Sequence, residues 1–359
     1  MTNKSFLEQE ILEQPEVINS LIQEEHDHIA TISKKILGNF NYILIAARGT
    51  SDNAARYAQY LFQIHNQIPV ALATPSVFSL YNKKPNLDGA VILAISQSGM
   101  SPDILSVLKE GKRQGRPTLA VTNNIESPLA EIADDVILLH AGIEKAVAAT
   151  KTYTSSLMVI ALLSSHLSQD DASLAILKKV PAWGETTIET VLEKSEQMAK
   201  FHVLIHGVVI GRGFNYCTAF EIALKIKELT GITTVPYSSA DFLHGPVASV
   251  HKGYPALVIA HHGKVFEDIK QVVERVNRLG ADTLLISDDQ YLCSQEGFSI
   301  QTPEGIPEWI SPLINVIPGQ ILGWKIAESK GMNPDYPKGL KKVTKTISVS
   351  YTHLTLPTN

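Results

Sequence analysis

The chain repeats itself. Arg48-Gly49 returns as Arg212-Gly213, 164 residues later, and Gly99 returns as Gly263 at the same offset. Gly115 returns as Gly280 and Asn123-Asn124 as Asp288-Asp289, now 165 residues on. Around each pair runs the same pattern: an apolar run, a turn of small residues, then helical periodicity. Such a chain is expected to fold as two copies of one unit, and 359 residues is room for two ordinary domains. The copies differ at one turn. The first reads Ser96-Gln97-Ser98-Gly99, the second Ala260-His261-His262-Gly263. A requirement of the fold would have kept the hydroxyls in both, so their loss points to an anion site in the first half only.

Short apolar runs at 42–46, 70–73, 90–95, 118–122 and 135–139 predict buried strands. A helix is expected over 52–64, and Ser101-Pro102-Asp103 reads as a helix start, with Ser101 as N-cap and Pro102 at the first helical position. In the second copy strands are expected at 203–210, 256–260 and 283–287, and helices at 216–229, 265–279 and 312–330. Residues 6–38 predict one or two leading helices and 150–168 a long one. Residues 169–185 read as a polar connection holding Pro181, 186–200 as a helix, and 333–346 as an ordered Pro- and Lys-rich loop. Apolar strands separated by helices predict an α/β fold with two doubly wound parallel sheets in tandem. The expected division is a helical lead-in at 1–28, a first domain at 29–170, linker helices at 171–200, a second domain at 201–335 and a tail at 336–348. Residues 349–359 resemble an in-frame translation of a sequencing adaptor and are set aside as non-native.

Several classes are not expected. A net charge of −5 gives nucleic acid no general attraction. No apolar run reaches the roughly 18–20 residues of a membrane span, and the polar first ten residues do not read as a signal peptide. The two cysteines, Cys217 and Cys293, lack metal-ligand or disulfide-framework spacing, which fits a reducing cytoplasm. No metal or organic cofactor is expected. Gly211-Arg212-Gly213 lacks the third glycine of a dinucleotide loop, and there is no phosphate-binding GxxxxGK[ST] sequence.

Four constellations carry chemistry. Ser96-Gln97-Ser98-Gly99-Met100-Ser101 lies between a strand and a helix start, where free N–H groups and short hydroxyls suit a phosphate. Thr50 and Ser51 follow the neighbouring strand and can converge on the same point. Glu221, Lys225 and Glu228 share one helix face, and the apolar residues around them predict burial of a carboxylate–lysine pair able to move protons. His244, between Leu243 and Gly245-Pro246, is held in a defined turn and titrates near neutrality. Each has a structural alternative: serines that only cap a helix, a surface ion-pair ladder, a histidine that only satisfies backbone groups. Lys341 and Lys342 by themselves read as a solvated basic tail.

Together these motifs resemble the tandem sugar isomerase (SIS) family over about residues 6–346. The match is to the isomerase portion of glucosamine-6-phosphate synthases and to stand-alone glucosamine-6-phosphate deaminases. It rests on Arg48-Gly49-Thr50-Ser51, Ser96-Gln97-Ser98-Gly99, Val147-Ala148-Ala149-Thr150-Lys151, Ala223-Leu224-Lys225-Ile226-Lys227-Glu228, Phe242-Leu243-His244-Gly245-Pro246 and Gly339-Leu340-Lys341-Lys342-Val343-Thr344.

The resemblance implies flavodoxin-like domains and a set of roles. Thr50, Ser51, Ser96, Gln97, Ser98 and Ser101 would hold a sugar phosphate, and Val147 and Ala149 would touch the sugar. Glu228 would carry the proton between C1 and C2, Lys225 would stabilise oxyanion charge, and Lys342 would contact the open-chain sugar, by an imine in one version. His244 would assist ring opening from the partner subunit of a homodimer. Met100, Ser101 and Ala149 depart from the synthase pattern towards the deaminases. With Thr2 after Met1 and the sugar fold starting within about 40 residues, no glutaminase domain is expected. The expected reaction is glucosamine 6-phosphate plus water to fructose 6-phosphate plus ammonia, without cofactor. A fructosamine 6-phosphate substrate, the synthase isomerase module and a non-catalytic sugar-phosphate sensor are the alternatives. A sensor would have no need of Glu228, His244 and Lys342 together.

Overall fold

The structure is a computed structural model that describes residues 4–36, 38, 40–295 and 297–342, the side chains of 202 and 203 excepted. Two leading helices, α1 (Phe6–Leu12) and α2 (Gln14–Ile36), precede the first unit. That unit runs β1 (Tyr42–Ala46), α3 (Thr50–His65), β2 (Val70–Leu72), α4 (Pro75–Ser79), β3 (Ala90–Ile95), α5 (Pro102–Arg113), β4 (Thr118–Thr122), α6 (Pro128–Ile132), β5 (Asp135–Leu138) and α7 (Lys151–Leu167). Helices α8 (Asp171–Leu177), α9 (Val180–Glu193) and α10 (Ser195–Met198) connect it to the second. The second unit runs β6 (His206–Gly211), α11 (Tyr216–Thr230), β7 (Thr233–Ser238), α12 (Ser239–Leu243), β8 (Pro255–Ala260), α13 (Phe266–Arg278), β9 (Asp282–Ser287), α14 (Gln290–Gln295), β10 (Phe298–Gln301) and α15 (Ser311–Ser329).

Each unit holds a five-stranded sheet, β2-β1-β3-β4-β5 in one and β10-β9-β8-β6-β7 in the other, and every pairing is parallel. Read from its own first strand, each sheet has the order 2-1-3-4-5, so the repeat in the sequence is a repeat in topology. In such sheets the order reverses between strands 1 and 3, and the crevice there opens at the strands' carboxyl ends. The β1 and β3 strands bury nearly all their residues because helices cover both faces, which is why they read as unbroken apolar runs.

The main core lies where the two units meet. Helices α7 and α15 are buried on almost every face, and α2, α3, α9 and α11 pack around them. Helix α15 approaches α11 closely at Gly319, where a methyl group would collide with Ile222. This packing fixes α11, the carrier of Glu221, Lys225 and Glu228, against α3 of the first unit.

The structure corrects parts of the linear reading. Residues 169–185 are mostly helical: Asp170 caps α8 through Ser173, and Pro181 sits in the first turn of α9, a position that spares a hydrogen bond. The helix expected over 186–200 instead ends at Glu193 and is followed by α10 and a 3₁₀ turn over Ala199–Val203. Strands β7 and β10 were not expected. Pro236 argues against a central strand, but β7 is an edge strand pairing only with β6, where a missing N–H is tolerated. β10 has only four residues. The tail beyond 342, including 349–359, lies outside the described residues. No helix among the described residues is long and apolar enough to cross a membrane. Cys217 and Cys293 are both buried and unbridged.

Candidate active site

Two helix starts converge at the crevice of the first sheet. Gly49, at φ +56°, turns the chain from β1 into α3, and a methyl there would meet only open space. Ser101 stands at the N-cap position of α5 with Pro102 behind it, as the sequence predicts, but its hydroxyl makes no capping bond. Between these starts lies a cavity of about 300 Å³. The loop side is formed by Thr50, Ser51, Gln97, Ser98 and Ser101, and the inner wall includes Val147, Ala149, Lys225, Glu228 and Lys342. Ten of the twelve residues picked from the sequence therefore share one chamber.

Two do not. Ser96 is buried beneath the loop, where its Oγ accepts a hydrogen bond from the Gly99 N–H at 3.2 Å. It shapes the turn without lining the cavity. His244 ends α12, is exposed, and lies outside the lining of its own chain's cavity.

The inner wall is an ordered chain of charges. Lys225 Nζ, on a side chain only 1% exposed, lies 2.5 Å from Glu228 Oε2 and 3.4 Å from Glu221 Oε1. It also donates to Thr50 Oγ1 at 3.2 Å, and Thr50 in turn donates to Glu221 Oε1 at 3.1 Å. Asn53 donates to the other Glu221 oxygen at 2.7 Å. Burial works against the charge on Lys225, yet Glu221 and Glu228 outweigh it and raise its pKa, so the ammonium persists. Burial pushes the Glu221 carboxyl upward, opposed by Lys225, Asn53 and Thr50. Glu221 is fully enclosed and spends both oxygens on these partners, whereas the Glu228 side chain is 24% exposed and reaches the cavity.

Lys342 enters from the C-terminal side. Its ammonium donates to Glu144 Oε2 at 2.6 Å and to the Ala146 carbonyl at 2.7 Å. Glu144 is buried and also accepts from the Thr150 and Thr152 N–H groups and the Thr152 hydroxyl. Lys342 is thus not a solvated tail residue but is clamped onto the loop that carries Val147, while Lys341 beside it is exposed. Glu10 of α1 braces that loop from behind, accepting from the Lys145 and Ala146 N–H groups. Burial, with Glu144 nearby, pushes its pKa up to about 7 against the backbone hydrogen bonds and Lys342.

Glu144, Glu10, Asn53, Thr152 and Ser156 escaped the sequence reading. Asn53 lies one helical turn after Thr50, a spacing that could have flagged it. Nothing local marks Glu10, whose partners are 135 residues away. The Arg-Gly repeat has a structural cause: Arg48 pairs with Asp103 at 2.9 Å, and Arg212 with Asp268 at 3.3 Å, each joining the first turn of a unit to its third-strand helix. Among the described residues no cluster of His, Cys, Asp and Glu could hold a metal.

The geometry can do three things. Helix starts and hydroxyls can seat a dianion, a partly exposed carboxylate can move a proton, and two ammonium groups can stabilise developing oxyanions.

Comparison with known proteins agrees with this architecture. The glutamine–fructose-6-phosphate aminotransferase (isomerizing) of Pyrococcus horikoshii is 32% identical over 343 residues. That match takes in 94% of this chain but only 57% of the relative's length. The C-terminal domain of glucosamine-fructose-6-phosphate aminotransferase from Francisella tularensis superposes with a TM-score of 0.83 at 25% identity, covering 94% of this chain and 99% of that one. A glucosamine-6-phosphate deaminase from Thermotoga maritima shares the fold, with a TM-score of 0.75 at 21% identity over 95% of this chain and all of its own. The SIS domain model matches twice, at residues 36–165 and 206–322, one match per sheet, and the chain belongs to the SIS domain family.

Proposed function

We propose that the chain is an aldose–ketose isomerase of amino-sugar phosphates, acting as a deaminase on glucosamine 6-phosphate to give fructose 6-phosphate and ammonia. One observation carries the reading. The hydroxyl loop of the first unit and the Lys225–Glu228 pair of the second face one cavity, with Lys342 closing it. In this reading Thr50, Ser51, Gln97, Ser98 and Ser101 hold the phosphate, with the starts of α3 and α5 supplying N–H donors. Val147 and Ala149 pack along the sugar. Glu228 takes the proton from one of C1 and C2 and returns it to the other. Lys225 neutralises the oxygen charge that develops, at a site where burial makes that charge–charge attraction strong. Lys342 lies where it can meet the open-chain carbonyl.

His244 enters this scheme only from a second copy of the chain. Its exposure and its absence from its own chain's cavity lining agree with a homodimer in which it completes the neighbouring site. Ammonia release by purified protein from glucosamine 6-phosphate tests the proposal. Absence of release, with turnover of a fructosamine or another sugar phosphate, would reassign the substrate.

A second reading is favoured by the 32% identity to an aminotransferase across nearly the whole chain. Here the same site serves as the isomerase half of a synthase, and ammonia is consumed. Formation of glucosamine 6-phosphate from fructose 6-phosphate at high ammonia, without measurable release in reverse, would favour it.

A further inference from the structure

The second unit keeps the turn after its first strand but not the space beside it. Gly213, at φ +58°, repeats the Gly49 turn at φ +56°. At Gly49 an added methyl meets nothing within 4 Å, whereas at Gly213 it would touch Val265 Cγ1 at 3.4 Å and Glu308 Oε1 at 3.5 Å. Gly263, the counterpart of Gly99, has a different backbone, φ +157° against +63°, and a methyl there would overlap the Glu308 carboxyl group, where at Gly99 it would meet Ser127. Glu308 Oε2 accepts a hydrogen bond from the Lys264 N–H at 2.8 Å, just before the thirteen-residue helix α13. The Glu308 carboxylate therefore stands between the turns after β6 and β8, the place where the first unit leaves its cavity.

The loop beside it has changed to match. Where the first unit has Gln97 and Ser98, the second has His261 and His262. His261 is 3% exposed and held by the Ile306 carbonyl at 2.8 Å through Nε2, while its buried Nδ1 has no hydrogen-bond partner and lies 3.5 Å from Asp288 Oδ1. The segment after β10, which carries Ile306 and Glu308, is thereby drawn over the mouth of the second crevice.

We infer that the second crevice is an anion site occupied by the chain's own Glu308 carboxylate, which stands where a phosphate would otherwise sit and limits each chain to one sugar phosphate. A dianion and a carboxylate would compete for the Lys264 N–H, and the tethered group is always present at high effective concentration. Removing the carboxylate opens a second site for a small oxyanion such as inorganic phosphate. The limit of one sugar phosphate per chain rests on the phosphate seat proposed above for the first unit, whereas the anion site behind Glu308 does not.

The test titrates inorganic phosphate into the wild-type protein and into Glu308→Ala, reading amide hydrogen exchange over 96–104 and 261–269. Glu308→Ala is expected to gain phosphate-dependent protection over 261–269 that the wild type lacks. Protection over 261–269 in the wild type, or none there in a natively folded Glu308→Ala protein, overturns the inference. A stability cycle gives a readout without ligand. Gly263→Ala strains the backbone at φ +157° in either background, and in the wild type it is expected to lower the melting temperature further than in Glu308→Ala, by the overlap with the carboxylate. Equal losses in both backgrounds would show that Glu308 does not fill the crevice. Loss of protection at 96–104 would strike the proposed substrate site and leave this inference standing.

Discussion

Asn53 Nδ2 lies 2.7 Å from Glu221 Oε2, although 168 residues separate them in the chain. With Thr50, Asn53 ties α3 of the first unit to a fully buried carboxylate of the second, and that carboxylate holds Lys225 in place. The two halves of the duplication thus meet in one polar network. The candidate site is complete in neither half alone.

Lys225→Met should destabilise the fold strongly. It leaves the enclosed Glu221 facing Glu228 without the cation between them, a type of loss that costs about 3–5 kcal/mol. Urea unfolding measures it, and Glu221→Gln added to Lys225→Met should recover part of the loss. An unchanged midpoint for the single variant would mean that the pair is not buried in solution as it is here.

Hydroxyls that face the cavity and the one beneath it should separate cleanly. Ser98→Ala and Ser101→Ala each remove a donor to a charged ligand, worth about 1.5–3 kcal/mol, and should raise KM for the sugar phosphate roughly 10- to 100-fold with kcat little changed. Ser96→Ala loses only the bond from the Gly99 N–H and should act on stability instead. Steady-state kinetics on the three variants decides it. An effect on KM confined to Ser96→Ala would reverse the assignment.

Glu10 gives the stability a pH signature. Its native pKa is pushed up to about 7, chiefly by burial, above the ordinary value of 4.5. The folded chain therefore holds this proton more tightly than the unfolded one. Its contribution is full below the ordinary carboxyl range and is lost as pH rises towards 7. Glu10→Gln should flatten the fall in stability between about pH 5 and 7, as read by melting temperature across that window. A wild-type slope retained in full by the variant would assign it to another group.

Much of this was legible in the chain, for reasons that differ by element. β1, β3 and β4 are buried on both faces, so their apolar runs have the bounds of the strands themselves. Thr50, Ser51, Gln97, Ser98 and Ser101 could be placed because strand ends and helix starts fix where short polar side chains point. β7 was hidden by Pro236, which only its edge position allows. Glu144 and Glu10 were hidden because their roles come from contacts that no local pattern encodes: Glu144 meets Lys342 198 residues away, and Glu10 meets a loop 135 residues on. Glu308 was hidden for the same reason, since its meaning lies in the glycines of two other loops.

The most direct test is solvent-hydrogen exchange at C2 of glucosamine 6-phosphate, followed by NMR in deuterium oxide. The wild type should wash label into C2. Glu228→Gln should lose the exchange by roughly 100- to 10,000-fold, the usual contribution of a positioned base, while binding the sugar phosphate with similar affinity. Exchange that persists in Glu228→Gln, or a wild-type protein that binds the sugar without exchanging C2, would contradict the account.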